Sequence, residues 1–474
     1  MKNALLPGLG GPMGRHATPR GLWFNPLPWA FLLATGLFLV LFLRHVPCVQ
    51  TTAHQEIDMY KMLCYTDIQS SFLSQGFGRG QSPLGSATML FAPLIAAAIL
   101  VTRKTATAVF DAPIRRSATL ANEVDASVTF FAITAVGLFA CFLVLVACVA
   151  WLGRRRPGRP SWDALLVAAS PVVLAVGLVN WDLVPVAFTA LGLVQVARGR
   201  LVEAGIVLGL AASAGTMPIG VVLAVLVVAG LRGGWRKALL FIVPALVTFF
   251  AVHLPLLMQN FDRVYMYYHG EINRETSYGS LWYVLQLMFG LELRSSGSLL
   301  FVVLLLALGS FIAYLYVTRK RPRVGSMVAV VIFATLLLGP AYPPQSALWL
   351  LLALVVARPY KPEMAALALT QVLYYIAIWG WLGGWLTTNQ NGPYMLYWAA
   401  IILHVAVEVW ILTEVVSDIV QPARDALRTP DLVDPIGGVL NDGEVAVVVP
   451  GPEAGPLDED YLAGFERPTP AKVG

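Results

Sequence analysis

Charged side chains make up only 12% of these 474 residues, about half of the roughly 25% that soluble domains carry. A fold of this length cannot solvate its surface with so few charges, so a soluble globular protein is excluded. The basic residues also lack any gathering on one face. The net charge of +5 is spread in short clusters between apolar runs, the pattern of the positive-inside rule and not that of a nucleic-acid surface. A cleavage site is missing too: Lys2, Arg15 and Arg20 precede an apolar run from Pro28 to Leu43, but the leader is long and no small-residue motif closes the run. The segment therefore reads as a retained first helix instead of a signal peptide.

What is present is hydrophobic sequence, 58% of the chain, with a mean hydropathy of +0.72. Spans need roughly 20 apolar residues each, fewer where helices are short and buried in a bundle, and only helices satisfy their own backbone in lipid. The expected fold is thus an all-α polytopic membrane protein of about 12 transmembrane helices. Spans are expected at 28–44, 127–152, 162–179, 183–197, 201–214, 218–231, 236–257, 297–317, 325–340, 344–357, 362–382 and 394–416. Arg154 to Arg156 with Arg159, Arg198 with Arg200, Arg232 with Arg236 and Lys237, Arg319 to Arg323, and Arg358 with Lys361 then fall at alternate ends. That places both termini in the cytoplasm of a multi-pass protein of the plasma membrane. The run Leu90 to Val101 breaks this register if it crosses, so it is expected to be re-entrant or interfacial.

Three regions follow: a cytoplasmic segment 1–27, a membrane domain 28–416 with long outer loops at 45–89 and 258–296, and a tail 417–474. The tail is rich in Pro, Gly and acids, Asp434 among them, and is expected to be disordered. Short helices meet at Pro or Gly around 180–185 and 215–218. Interrupted helices at membrane depth are tolerated where they line a cavity.

Polar chemistry concentrates in the loops. Cys48 and Cys64 share the first one, where an oxidising exterior permits a disulfide. Asp58 and Asp67 lie around them, and a carboxylate at the outer end of the first helix could serve as a general base. At the outer surface it would titrate near its ordinary value, about 4. His54 and Asp58 could share a metal ion, but no third ligand stands nearby. The second loop interleaves aromatics with Arg263, His269 and Arg274. That composition suits a headgroup-level surface, and an arginine there could hold a phosphate through bidentate hydrogen bonds.

Five motifs occur in order: Cys64-Tyr-Thr-Asp67-Ile, Val179-Asn180-Trp-Asp182-Leu, Tyr278-Gly-Ser-Leu-Trp282-Tyr283, Tyr342-Pro-Pro-Gln345 and Val372-Leu-Tyr-Tyr375. Over residues 28 to 416 the chain resembles glycosyltransferase family 87 of the GT-C superfamily, similar to polyprenyl-phosphate-mannose-dependent mannosyltransferases. The resemblance implies a GT-C-like fold and an inverting transfer of a sugar, mannose or another cell-envelope sugar, from a polyprenyl-phosphate donor to a lipid or glycan acceptor on the outer face. It implies Asp67 as the base, with Asp58 second, and Arg274 as a clamp for the departing phosphate. His269, Asn180, Asp182, Trp282, Tyr283, Tyr342 and Gln345 are the remaining candidate binding residues. The resemblance names the donor polyprenyl-phosphate sugar and leaves metal dependence open.

The chain also departs from the family pattern. Phe91-Ala-Pro93 stands where a Glu-Tyr-Pro is expected, Gly215 and Pro340 replace lysines, and Gln371 replaces a late glutamate. Intramembrane charges are usually kept for function, so their loss leaves a catalytically inactive relative, acting as a scaffold or lipid-glycan binder, as an alternative. A transporter or flippase is a third, but it should carry charges within its helices, which here are few.

Overall fold

Among the described residues every regular element is a helix, as a chain immersed in lipid requires. The computed structural model describes residues 25–441, apart from 51–57, 85–90, 115–118, 154–161, 388–393, 429–433 and positions 233, 294 and 426; His54 and Arg154 lie outside the described residues. The helices run α1 (Pro26–Gln50), α2 (Asp67–Ser74), α3 (Pro93–Phe110), α4 (Leu120–Gly153), α5 (Ala164–Ala168), α6 (Pro171–Val176), α7 (Leu183–Ala197), α8 (Leu201–Ser213) and α9 (Met217–Leu231). They continue as α10 (Trp235–Gln259), α11 (Phe261–Ile272), α12 (Leu281–Phe289), α13 (Gly297–Val317), α14 (Val324–Leu338), α15 (Ala347–Ala357), α16 (Lys361–Leu382) and α17 (Tyr394–Val420).

Helix occupies each of the twelve apolar segments. Among the described residues seven helices, α1, α3, α4, α10, α13, α16 and α17, are long and apolar enough to cross a membrane by length and composition. Several of the shorter ones sit inside, whereas α11 and α12 bury one residue each. All eleven residues of α15 are buried, and α14 is buried along most of its length. A helix of 11 to 15 residues reaches only about 16–22 Å, less than the roughly 30 Å hydrocarbon layer, so it depends on longer neighbours for cover.

α1 and α4 run antiparallel. Phe38 meets Phe142 with ring centroids 6.1 Å apart, and His45 meets Phe131 at 6.0 Å. Small residues bring α8 and α10 together: a Cβ on Gly205 would lie 2.3 Å from the Phe241 carbonyl oxygen, and one on Gly209 2.5 Å from that of Ala245. This is the small-xxx-small device of lipid-embedded helices, which close on van der Waals contact where lipid removes the hydrophobic drive.

α3 passes the length and composition criterion, yet its contacts set it along the long-loop end. Arg103, near its middle, donates to the Gln81 carbonyl, and Phe91, just before it, packs edge-on against Trp181 at 5.3 Å. The chain then returns to the start of α4, where Glu123 pairs with Arg79 of the same loop. Arg103 and Lys104 need no burial in hydrocarbon in that position.

At the opposite end, where the arginine clusters lie, the tail does not begin at 417. α17 runs on to Val420, and the described residues beyond it pack under the bundle. Asp434 pairs with Arg232 at 3.1 Å and accepts from the Val324 N–H at 2.7 Å. Asp425 pairs with Arg323, 1% exposed. Ile436 and Leu440 are buried. Acid-rich composition suggests solvation, but these two aspartates find guanidinium partners that helix ends supply.

Candidate active site

The site assembles where the first long loop meets the α6–α7 turn. Cys48, in the last turn of α1, is bonded to Cys64, with Cα atoms 6.1 Å apart. This fixes the start of the segment Tyr65-Thr66-Asp67 against the helix. Thr66 then does two jobs: its hydroxyl donates to the Leu178 carbonyl at 2.7 Å and caps α2 by accepting from the Ile68 N–H. The Asp67 N–H donates to the Val179 carbonyl at 2.7 Å. Asp67 therefore opens α2, where the helix N-terminus favours a negative charge, and is stitched to the turn carrying Asn180 and Asp182.

The two carboxylates feel each other. Enclosure by protein pushes the Asp182 carboxyl up to about 7; the Asn180 side chain opposes the shift and the Asp67 charge adds to it. Burial likewise raises Asp67 above the usual carboxylate range, against a hydrogen bond from Tyr65. Asp67 thus departs from the free, surface-like carboxylate expected of a loop. A carboxylate titrating closer to neutrality is a stronger base at working pH.

Arg274 belongs to this neighbourhood, since its charge acts on Asp182. It pairs with Glu271 one turn earlier on α11, and Glu271 also accepts from the Thr216 hydroxyl at 3.4 Å. Glu271 escaped the sequence reading, although its i,i+3 spacing from Arg274 is a pairing signal. Tyr60 and Trp379 escaped it too, while Tyr65, in the first motif, had no role assigned. Their rings lie 5.1–5.7 Å apart beside Asp67 and form an aromatic wall at its edge.

Other candidates stand elsewhere or serve structure. Asp58 accepts from the backbone of Tyr60 and Lys61, both at 3.1 Å, and so caps its own turn. His269 is exposed on α11 and packs on Tyr265. Trp282 donates to the Leu338 carbonyl at 3.3 Å, and Tyr283 sets its edge on Trp381. Gln345 lies on the short turn Pro344–Ser346.

Tyr342 is buried. Its hydroxyl donates to Gln371 at 3.0 Å, Gln371 donates to Glu408 at 2.8 Å, and Glu408 meets His404 at 2.9 Å. The other His404 nitrogen faces the Gly279 carbonyl at 3.2 Å. The acid absent from position 371 is thus present as Glu408 on the next helix. Gly279 has φ +72, and a Cβ there would lie 1.8 Å from the Tyr374 hydroxyl, so the Tyr278-Gly-Ser turn accepts only glycine. This relay holds the turn that follows Arg274. Among the described residues no three His, Cys, Asp or Glu side chains gather in a way that could hold a metal ion.

One consequence is measurable. A carboxyl that titrates higher folded than unfolded binds more protons when folded. Its contribution to stability is present below about 4, the unfolded value, and is lost as pH rises through about 7. Asp182→Asn is therefore expected to raise the thermal midpoint of the purified protein at pH 8 by more than at pH 5. Equal shifts at the two pH values would remove the burial assignment.

Residues 120–340 match glycosyltransferase family 87, a match that indicates a membrane glycosyltransferase, with a sugar donor and an acceptor as substrates. The matched span includes Asp182, Glu271 and Arg274, and Asp67 precedes it. No curated protein matches the chain.

Proposed function

We propose, taking the similarity of residues 120–340 to a family of membrane glycosyltransferases as the premise, that this protein moves a sugar from a polyprenyl-phosphate donor to a lipid or glycan hydroxyl, with inversion. The single observation that carries the reading is the stitching of Asp67 to the turn that carries Asp182, with Arg274 acting on the same turn, at one end of the bundle. That end is the outer face of the plasma membrane in this proposal, because the arginine and lysine clusters occupy the other.

Asp67 takes the proton from the acceptor hydroxyl as its oxygen forms a bond to the anomeric carbon. The bond from that carbon to the phosphate oxygen breaks, and polyprenyl phosphate leaves with the electron pair. Attack opposite the leaving group inverts the configuration in one step. Burial keeps Asp67 basic, and Arg274 supplies positive potential to the phosphate as charge develops there. The wall of Tyr60, Tyr65 and Trp379 offers flat apolar faces of the kind sugars stack on.

The reading predicts that protein reconstituted with a labelled polyprenyl-phosphate sugar and a lipid extract yields a labelled product of inverted anomeric configuration. Lipid and glycan profiles of a deletion strain should lack the matching species. Unchanged profiles together with donor binding but no transfer would favour an inactive lipid-glycan binder instead.

A further inference from the structure

Arg44 carries a charge that no described carboxylate answers. It stands 18 residues after Pro26, the start of α1, so about 27 Å along the helix, close to the far edge of a roughly 30 Å hydrocarbon layer. Its Nη2 donates to the Ala175 carbonyl at 2.9 Å, its guanidinium lies 5.6 Å from the centre of the Tyr375 ring, and its Nε is buried without a partner. Other enclosed arginines are matched: Arg232 by Asp434, Arg323 by Asp425 and Arg358 by Asp418. Arg44 forms no ion pair among the described residues.

Its position relative to the candidate base is set by one strand of backbone. Ala175, which receives Arg44, comes one turn before Leu178 and Val179, whose carbonyls receive Thr66 and Asp67. The guanidinium therefore lies about one helical pitch, roughly 5 Å, deeper in the bundle than the stitch that fixes Asp67. α1 and α16 both pack on α6, and Tyr375 of α16 donates to the Leu63 carbonyl at 2.9 Å, so Arg44 sits between two helices at the membrane-facing side of the site.

We propose that Arg44 holds the phosphate of a lipid-linked ligand, placing it directly below Asp67. The inference rests on the glycosyltransferase reading and adds a residue to it. An arginine stays ionised in any protein setting, and an unanswered charge at this depth is costly, whereas a phosphate oxygen pair accepts a guanidinium fork. The order from water inwards is carboxylate, guanidinium, lipid. A sugar-phosphate-prenyl molecule has the same order. Arg274, tied to Glu271, serves the loop side of the same ligand.

The test is binding of radiolabelled polyprenyl phosphate to the full chain in nanodiscs, with inorganic phosphate as competitor. Arg44→Gln is expected to weaken binding about ten- to a hundredfold, the range for a lost hydrogen bond to a charged group, and Arg44→Lys to weaken it less. Binding to a folded Arg44→Gln protein at wild-type strength would overturn the proposal and leave the glycosyltransferase reading standing. Should the Gln variant fail to fold, wild-type binding by Arg44→Lys would overturn it equally, because an ammonium lacks the fork. Displacement by inorganic phosphate at the concentration at which polyprenyl phosphate binds would assign the site to free phosphate and overturn the lipid assignment. A wild-type protein that binds no polyprenyl phosphate would remove both readings.

Discussion

Asp67→Asn is expected to lower transfer by about 10²- to 10⁴-fold, the usual contribution of a positioned general base, with little change in donor binding. Asparagine keeps the size of the side chain and the backbone N–H that donates to Val179, so the turn should remain in place while proton acceptance is lost. The matching Asp182→Asn change is expected to do less. Asp67 owes its raised pKa to burial, which Asp182→Asn leaves in place, so the acidic limb of the pH–rate profile should stay where it is in wild type. Asp58→Asn should leave the rate near wild type, because Asp58 is engaged by its own turn. Wild-type transfer by Asp67→Asn would reject Asp67 as the base. If Asp182→Asn abolished the reaction in the same assay, the role would pass to Asp182 within the same mechanism.

The largest effect on stability is expected at the opposite end of the bundle. Asp434→Asn should destabilise the protein by about 3–5 kcal/mol, the range for removing one partner of a buried ion pair. The carboxylate is 1% exposed and answers Arg232 and the backbone of Val324 and Ile436. Burial alone would raise its pKa, but Arg232, Arg323 and those two N–H groups outweigh burial and hold it below the usual carboxylate range. A depressed carboxyl gives stability that is present above about 4 and is lost as pH falls through the lower folded value. Denaturation of the purified variant at pH 7 and at about pH 2 checks both points: the deficit should be full at pH 7 and smaller at pH 2, below the unfolded value. A variant as stable as wild type at pH 7 would mean that the segment after α17 does not hold the bundle.

That segment also marks a limit of composition as a guide. Pro, Gly and acids after Val416 read as a disordered extension because each residue type disfavours a packed core when taken alone. Asp425 and Asp434 are buried all the same, since the arginines that the positive-inside pattern places at helix ends are there to receive them. Similarly, the missing glutamate at 371 looked like a loss of chemistry. Its neighbour Glu408, one helix later, accepts from Gln371 and restores an acid to the cluster around Tyr342.

Hydrophobic run length and the spacing of Lys and Arg were enough to determine an all-helical membrane fold, because lipid leaves a helix as the only way to satisfy the backbone, but α1 and α4 run several residues past the expected spans and α2, α3, α11 and α12 lie outside them. The short motifs were enough to name Asp67, Asp182 and Arg274. Tertiary structure alone decided which of these meet: the Thr66 and Asp67 bonds to Leu178 and Val179 join segments more than a hundred residues apart, and no local pattern encodes that distance. It alone decided that Arg232, Arg323 and Arg358 meet Asp434, Asp425 and Asp418 while Arg44 is left without a described carboxylate. Charge pairing depends on which helices become neighbours, and between lipid-embedded helices that is settled by close packing at positions such as Gly205 and Gly209.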